Sequence, residues 1–307
     1  MTTDTIARSR YRETEWNFGG YRYGLEPLVL PDPRASGPTH RFVAPELVPE
    51  WAAERLRADP PARAADRPAP EDIDDLFWFR WITGHQITFV LWHVLARELR
   101  EAAATGEADR ATMDLLSTLA EGYSAMLLYT SSCTTDAYHR FIRPAMYRQH
   151  HGFSGSWAPD YRPVRSLFHG REPGWARGTD FDGLRETVRL NRTVHSAVAA
   201  RLVPGSESLL QRSIPATRLQ DRATLGVIFD QFFLTTRSPV ADDLILDQLL
   251  RRLHAALIDV DRNGLHPCGQ QVAEEFPAEY RTPFIDECET RFPSITARIA
   301  LRSCGLG

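Results

Sequence analysis

The sequence predicts a mostly α-helical protein. Three observations carry that expectation. Apolar residues recur at helical period in several segments beyond residue 71, and strand-type alternation is scarce. The third is the run from Phe77 to His93, so continuously apolar that a buried helix is the form that suits it. Residues 71–307 are therefore expected to build a helix-on-helix domain, preceded by an extended N-terminal arm over residues 1–70.

The arm is punctuated by Pro27, Pro31, Pro33, Pro38, Pro45, Pro49, Pro60, Pro61, Pro68 and Pro70, which leaves room for one short helix near residues 45–58. Its aromatic start (Tyr11, Trp16, Phe18, Tyr21, Tyr23) is too apolar to stay unpacked. The core or a neighbouring subunit is the expected partner, which implies a homodimer or a higher homo-oligomer. Asp72 or Asp74 can cap a first helix that runs to about residue 103, before Gly106. A second spans about residues 110–131, with Leu115, Leu116, Leu119, Tyr123, Met126 and Leu127 on one face. A third starts near Thr135 and carries Tyr138, Phe141, Ile142 and Met146. Residues 150–180 are rich in Gly, Pro, Trp and His without helical period and read as a long ordered loop, a kind of segment that tends to be functional. Helices are expected again at about 181–203, 218–236, 240–261 and 270–290.

Composition bounds the function. The chain has 307 residues, 43% hydrophobic and 25% charged, and a formal net charge of −4, which argues against binding nucleic acid by phosphate neutralisation. Lysine is absent, so all 36 basic residues are arginine, and Schiff-base, pyridoxal-type and phosphate-loop lysine chemistry is excluded. Cys133, Cys268, Cys288 and Cys304 show no paired spacing for zinc, redox or haem attachment. The start lacks the apolar core of a signal peptide, and no stretch is long and apolar enough to span a bilayer. A cytoplasmic protein with no membrane association is the expectation.

Candidate chemistry centres on histidine. His85 lies inside the apolar run, with Trp81 four residues before it and Thr88, Phe89 and Trp92 three, four and seven after, so on a helix it faces an aromatic wall. Two readings stand: a core histidine bonded to a backbone carbonyl, or a titratable base set against a flat apolar ligand. His195 sits on a face made apolar by Val188, Val198 and Leu202, while Ala197, Ala199 and Ala200 let a large planar group approach. Neutral imidazole is a natural axial ligand for haem iron, and a satisfied core histidine is the other reading. Between Tyr129 and Arg143, hydroxyls, Tyr138, Arg140 and Arg143 gather at a helix start, an arrangement suited to a carboxylate or to a well-capped helix with solvated arginines. Gly264-Leu265-His266-Pro267-Cys268-Gly269 partly resembles the cysteine loop of thiolate-ligated cytochrome monooxygenases, but Asp261 replaces the upstream phenylalanine and Gln270 the second glycine. No Glu-x-x-His pair, nucleophile elbow, phosphate loop or dinucleotide fingerprint appears.

Gly84-His85-Gln86-Ile87-Thr88-Phe89-Val90-Leu91-Trp92 resembles the distal-histidine helix of tryptophan 2,3-dioxygenases. Ser132 to Arg143 is similar, more loosely, to the segment where that family sets a Phe-Arg pair on the substrate carboxylate; here Tyr138 is followed by His139 and then Arg140. The length, the proline-rich arm and the His195 helix are closer to the haem-dependent L-tyrosine hydroxylases, histidine-ligated members of the same haem-dependent aromatic oxygenase superfamily. The resemblance implies a tryptophan 2,3-dioxygenase-like helical haem domain. It also implies haem b held by His195, with Trp81 and Asn191 beside it, and hydrogen peroxide as co-substrate. His85 would be the distal base, taking a proton from peroxide and returning it as the O–O bond breaks. Arg140 or Arg143, with Tyr138, would hold the carboxylate of L-tyrosine, and Phe89 and Ser154 would line its pocket. The implied product is 3,4-dihydroxy-L-phenylalanine; indole ring opening and non-catalytic haem binding are the alternatives.

Overall fold

A computed structural model describes residues 16–18, 21–23, 25–33, 73–176, 181–203, 221–268 and 276–305. The helix expected near residues 45–58 lies outside the described residues. Within the arm, strands β1 (Trp16–Phe18) and β2 (Tyr21–Tyr23) form an antiparallel pair. Strand β3 (Leu28–Leu30) buries Leu28 and Leu30 and pairs in parallel with β4 (Thr235–Arg237).

The rest is helical. The chain runs through α1 (Ile73–Thr105), α2 (Arg110–Thr130), the single turn α3 (Thr135–Ala137), a π-helical turn (Tyr138–Ile142) and α4 (Arg143–Gln149). Then follow α5 (Tyr161–Phe168), α6 (Asp182–Leu202), α7 (Arg222–Phe232), α8 (Asp242–Asn263) and α9 (Pro283–Ser303). Helix α1 packs on α2, α8 and α5; α2 is covered on its other sides by α6 and α9. No helix among the described residues is long and apolar enough to cross a membrane.

Local chemistry explains the boundaries. Asp109 caps α2 by accepting the Thr112 N–H at 2.8 Å, and Thr282 caps α9 ahead of Pro283 at its first position. Three expectations need correction. The helix expected at about residues 270–290 is α9, which starts only at Pro283, where Thr282 caps it, and runs on to Ser303; a 3₁₀ turn (Ala278–Tyr280) precedes it. Residues 150–180 hold α5, whose Val164, Leu167 and Phe168 face inward at helical spacing. It escapes the period search because it is two turns long and flanked by Gly and Pro. It ends in a Schellman motif: Gly170 (φ 79°) donates to Leu167 O at 2.8 Å and Arg171 to Ser166 O at 3.0 Å. The third helix is not regular either, since the π turn interrupts it between α3 and α4. Inserted turns of this kind are frequent at functional sites.

Two contacts fix α1. Arg80 and Asp259, both with side chains 0% exposed, form a two-pronged ion pair at 2.7 and 2.8 Å. Arg80 also donates to Ser132 Oγ, Leu265 O and Gly264 O, while Tyr129 Oη and Asn263 Nδ2 donate to Asp259. Gly84 lets α1 meet α2: a Cβ there would stand 2.4 Å from Thr130 Cγ2 and 2.9 Å from Tyr129 Cδ1.

Two outcomes follow from this packing. Gly84→Ala should destabilise by about 1–3 kcal/mol, because Thr130 is held in its rotamer by a bond to Met126 O and cannot swing away. Asp259→Ala strands a buried guanidinium and should cost about 3–5 kcal/mol. Urea unfolding followed by circular dichroism measures both; midpoints equal to the parent's would refute the packing argument.

Candidate active site

The aromatic stripe of α1 is the starting point. His85 is partly buried, its ring 4.6 Å from that of Trp81, 6.3 Å from Phe89, and stacked on Phe233 at 4.4 Å and 22°. The Trp81 carbonyl oxygen lies 2.6 Å from Nδ1. A carbonyl can only accept, so Nδ1 carries the proton and Nε2 keeps its lone pair. Burial lowers the pKa to about 4, against the smaller opposing effect of the Trp81 bond. His85 is thus a neutral imidazole with one nitrogen committed and the other able to accept. The carbonyl bond is the one the core reading expects, and Nε2 is the atom that the base reading would use.

Further along α1, Trp92 reaches a cleft of about 450 Å³ between α2, α5 and α6. Tyr123 crosses Trp92 edge to face at 5.1 Å and Phe168 at 5.0 Å, and Tyr161 lies 4.9 Å from Trp92. Burial raises the pKa of both tyrosines, keeping them protonated donors. Asn191, Arg192, His195 and Ser196 come from α6, Arg165 and His169 from the end of α5, and Ser154, Gly155 and Ser156 from the short 3₁₀ segment before it. Asn191 donates to Ser124 Oγ at 3.0 Å, which fixes its amide against α2. His195 faces the cleft, and partial desolvation by its walls lowers its pKa. The buried Trp92 Nε1–H has no acceptor among the described residues.

Three expected residues, His195, Asn191 and Ser154, therefore meet in one cleft. His85 and Phe89 do not line it; they continue the wall of α1, with Phe89 and Trp92 stacked at 5.9 Å between His85 and the cleft. Trp81 packs on His85 and, at 5.9 Å, on Tyr138, far from His195's cleft walls. Tyr138 is buried, its pKa pushed up to about 12 by desolvation despite the Arg143 charge. The two arginines separate. Arg140 is 52% exposed and its fork is spent on Asp74 at 2.6 and 2.7 Å, so it does not reach the Tyr138 cluster. Arg143 is buried beside Tyr138. Cys268 is exposed and outside the cleft.

Sequence reasoning overlooked Arg165, Phe168 and His169, whose side of the cleft depends on α5, and Arg192, which α6 brings to the same cleft. It also overlooked Phe233, which meets His85 from 148 positions away. Among the described residues, no three His, Cys, Asp or Glu side chains gather as a metal cage. A single axial histidine is the form of metal binding these side chains support, and His195 has the exposure and neutrality for it.

Residues 42–183 match the family model of the SfmD 3-methyl-L-tyrosine peroxygenase. The matched span is just under half of the chain and stops at the second residue of α6. It holds His85, Trp92, Tyr123 and the α5 wall, and leaves out Asn191 and His195. The match supports an enzyme of peroxygenase type acting on a tyrosine-like small molecule. No curated protein matches the chain.

Burial also makes stability depend on pH. His85 and His93 titrate near 4 and His266 near 3, whereas an unfolded histidine titrates near 6.5. Between those values the unfolded chain binds protons that the folded one refuses, so these groups withdraw stability as pH falls from about 6.5 to 4. His93 lies outside the cleft, and His93→Gln should lose less stability over that window, by up to about 1.4 kcal/mol per pH unit. Denaturant titrations at pH 7, 6 and 5 compare the slopes; identical slopes would contradict a depressed His93.

Proposed function

We propose that this chain is a haem-dependent, peroxide-using enzyme that hydroxylates L-tyrosine beside its phenol, giving 3,4-dihydroxy-L-phenylalanine. One observation carries the reading: a neutral histidine, an asparagine, two arginines and an aromatic wall converge on a single cleft, on a chain whose 42–183 span matches a peroxygenase family.

The side chains fit haem. His195 would hold the iron, while Arg165 and Arg192 offer bidentate donors for its propionates. Trp92, Tyr123 and Phe168 supply an apolar face, and the unpartnered Trp92 Nε1–H calls for an acceptor. When bound, haem supplies the activation of peroxide oxygen; the protein supplies position and proton handling.

His85 would do the proton handling, not from the cleft wall but from its cluster with Phe233 further along α1, which the bound molecules would have to reach. Its Nδ1 stays on the Trp81 carbonyl, so Nε2 is the atom that takes a proton and gives it back. A low pKa suits the return step, because the imidazolium sheds its proton readily at neutral pH. The aromatic neighbours exclude water from that exchange. For the substrate carboxylate, Arg143 is favoured over Arg140 by its burial beside Tyr138, whereas Arg140 is turned to Asp74.

Purified chain should show a Soret band, and peroxide with tyrosine should yield a product heavier by one oxygen. His195→Ala should abolish haem retention. His85→Ala should keep haem and lower turnover by about 10²- to 10⁴-fold. A colourless protein would refute the haem reading, and a product gaining two oxygens would replace hydroxylation by ring opening.

A further inference from the structure

Beside His85, the amide of Gln86 is fully committed. Gln86 is buried, its Oε1 accepts from Arg252 Nε at 2.9 Å, and its Nε2 donates to Phe233 O at 2.9 Å and Glu26 O at 3.0 Å. The orientation of the amide is forced. Arginine only donates and carbonyls only accept, so oxygen and nitrogen cannot exchange places. Arg252 is itself buried and tied to Gln248 O, Glu26 O and Pro27 O, which leaves the clamp no play.

What the clamp holds is Phe233, at the C-terminal end of α7. The next residue, Leu234, has φ 52°, a left-handed conformation that a branched side chain rarely adopts. Its carbonyl accepts the Leu28 N–H at 2.9 Å, so β3 pins the far side of the same turn. A strained turn persists only when its surroundings over-determine it. Here they do, and the ring thus fixed is the one stacked on His85.

We propose that Gln86 is a positioning residue for His85: clamped by Arg252, its amide holds the Phe233 carbonyl and keeps the Phe233 ring against the imidazole. The catalytic meaning rests on the reading of His85 as the base; the geometric claim does not. The ring contacts of His85 come from Trp81 and Phe89 on α1 and Phe233 after α7, all uncharged. Tyr138, a titratable group, meets Trp81, and burial keeps it neutral. Release of Phe233 therefore acts on His85 through solvation, not through a new charge.

The test uses the full-length chain with ¹⁵N- and ¹³C-labelled histidine, in the diamagnetic ferrous carbonyl form when haem co-purifies. The His85 signal is the one missing in His85→Asn. Gln86→Glu keeps an acceptor for Arg252 and loses the donor to Phe233; because its carboxylate would itself raise the His85 midpoint, this variant is read only by the upfield ring-current shift of His85, which should be lost. Phe233→Leu adds no charge and leaves the clamp intact; it should remove the same shift and raise the His85 midpoint from about 4 by about one unit or more. The double variant should change the ring-current shift no more than Phe233→Leu alone. An unchanged His85 signal in folded Gln86→Glu, an unchanged signal in Phe233→Leu, or additive effects in the double variant would overturn the proposal. Full turnover by His85→Asn would instead sink the base reading and leave the positioning result standing.

Discussion

The fold depends on one buried ion pair. Arg80 and Asp259 join α1 to α8, and through Tyr129 and Ser132 they join both to the end of α2. Such pairs seldom add much net stability, since desolvation offsets their attraction. What this one does is set rotation. Arg80 points at α8 and α2, and Gly84, one turn on, meets α2 at the same side. At about 100° per residue, Trp78, Trp81, His85, Phe89 and Trp92 then fall in a stripe roughly 100° to 180° away from Arg80. The charged contact on one side of α1 thus aims the aromatic side at α5 and α7, where Trp78 meets Phe232 and His85 meets Phe233.

Two further clusters of buried polar groups hold the elements facing that stripe. Gln86 and Arg252 tie the arm and the turn after α7 to α1 and α8. Arg237 on β4 bridges Asp160, just before α5, and Asp230 on α7, at 2.6 and 2.8 Å, and also reaches Pro31 O. Desolvation raises the pKa of both carboxyls, with the guanidinium opposing it. Asp160 carries the chain into α5, so this triad sets where Tyr161 and Phe168 enter the cleft. Lysine, a compact point charge, could not replace the planar fork at these sites, which gives the all-arginine composition a structural use.

Sequence period revealed α1, α2, α6 and α8 to within a few residues, because each has a long apolar face that only its own helix explains. Helical placement drew attention to His85 and His195, whereas Asn191 and Ser154 came only with the family resemblance. Period could not show the π turn, since a one-residue slip in hydrogen bonding leaves the composition of Tyr138–Ile142 unchanged. Nor could it separate Arg140 from Arg143. Their local contexts are equivalent, and the carboxylate that captures Arg140 belongs to Asp74, 66 residues earlier. Gln86 read as part of a motif, yet its partners are Phe233 and Arg252, 147 and 166 positions away. Polar clamps between distant elements carry no period, so they stay silent in a single sequence.

The two histidines were expected to face one another across a planar group, and the structure connects them differently. His85 and Trp92 stand seven residues apart on one helix, about 10 Å along its axis, with Phe89 between them, edge-on to His85 and stacked on Trp92. At each end of this wall an indole N–H, of Trp81 and of Trp92, is buried without an acceptor among the described residues. Each such group costs about 1–3 kcal/mol, and a packed core seldom tolerates two on one helix face. Aromatic residues chosen only for packing would be phenylalanines, which bring no such cost. The tryptophans make physical sense if acceptors from a bound molecule meet them, at the His195 cleft through Trp92 and at the His85 cluster through Trp81. On that argument the wall of α1 is one extended binding surface, with His85, the proposed base, at one end and His195, the proposed axial ligand, across the cleft at the other.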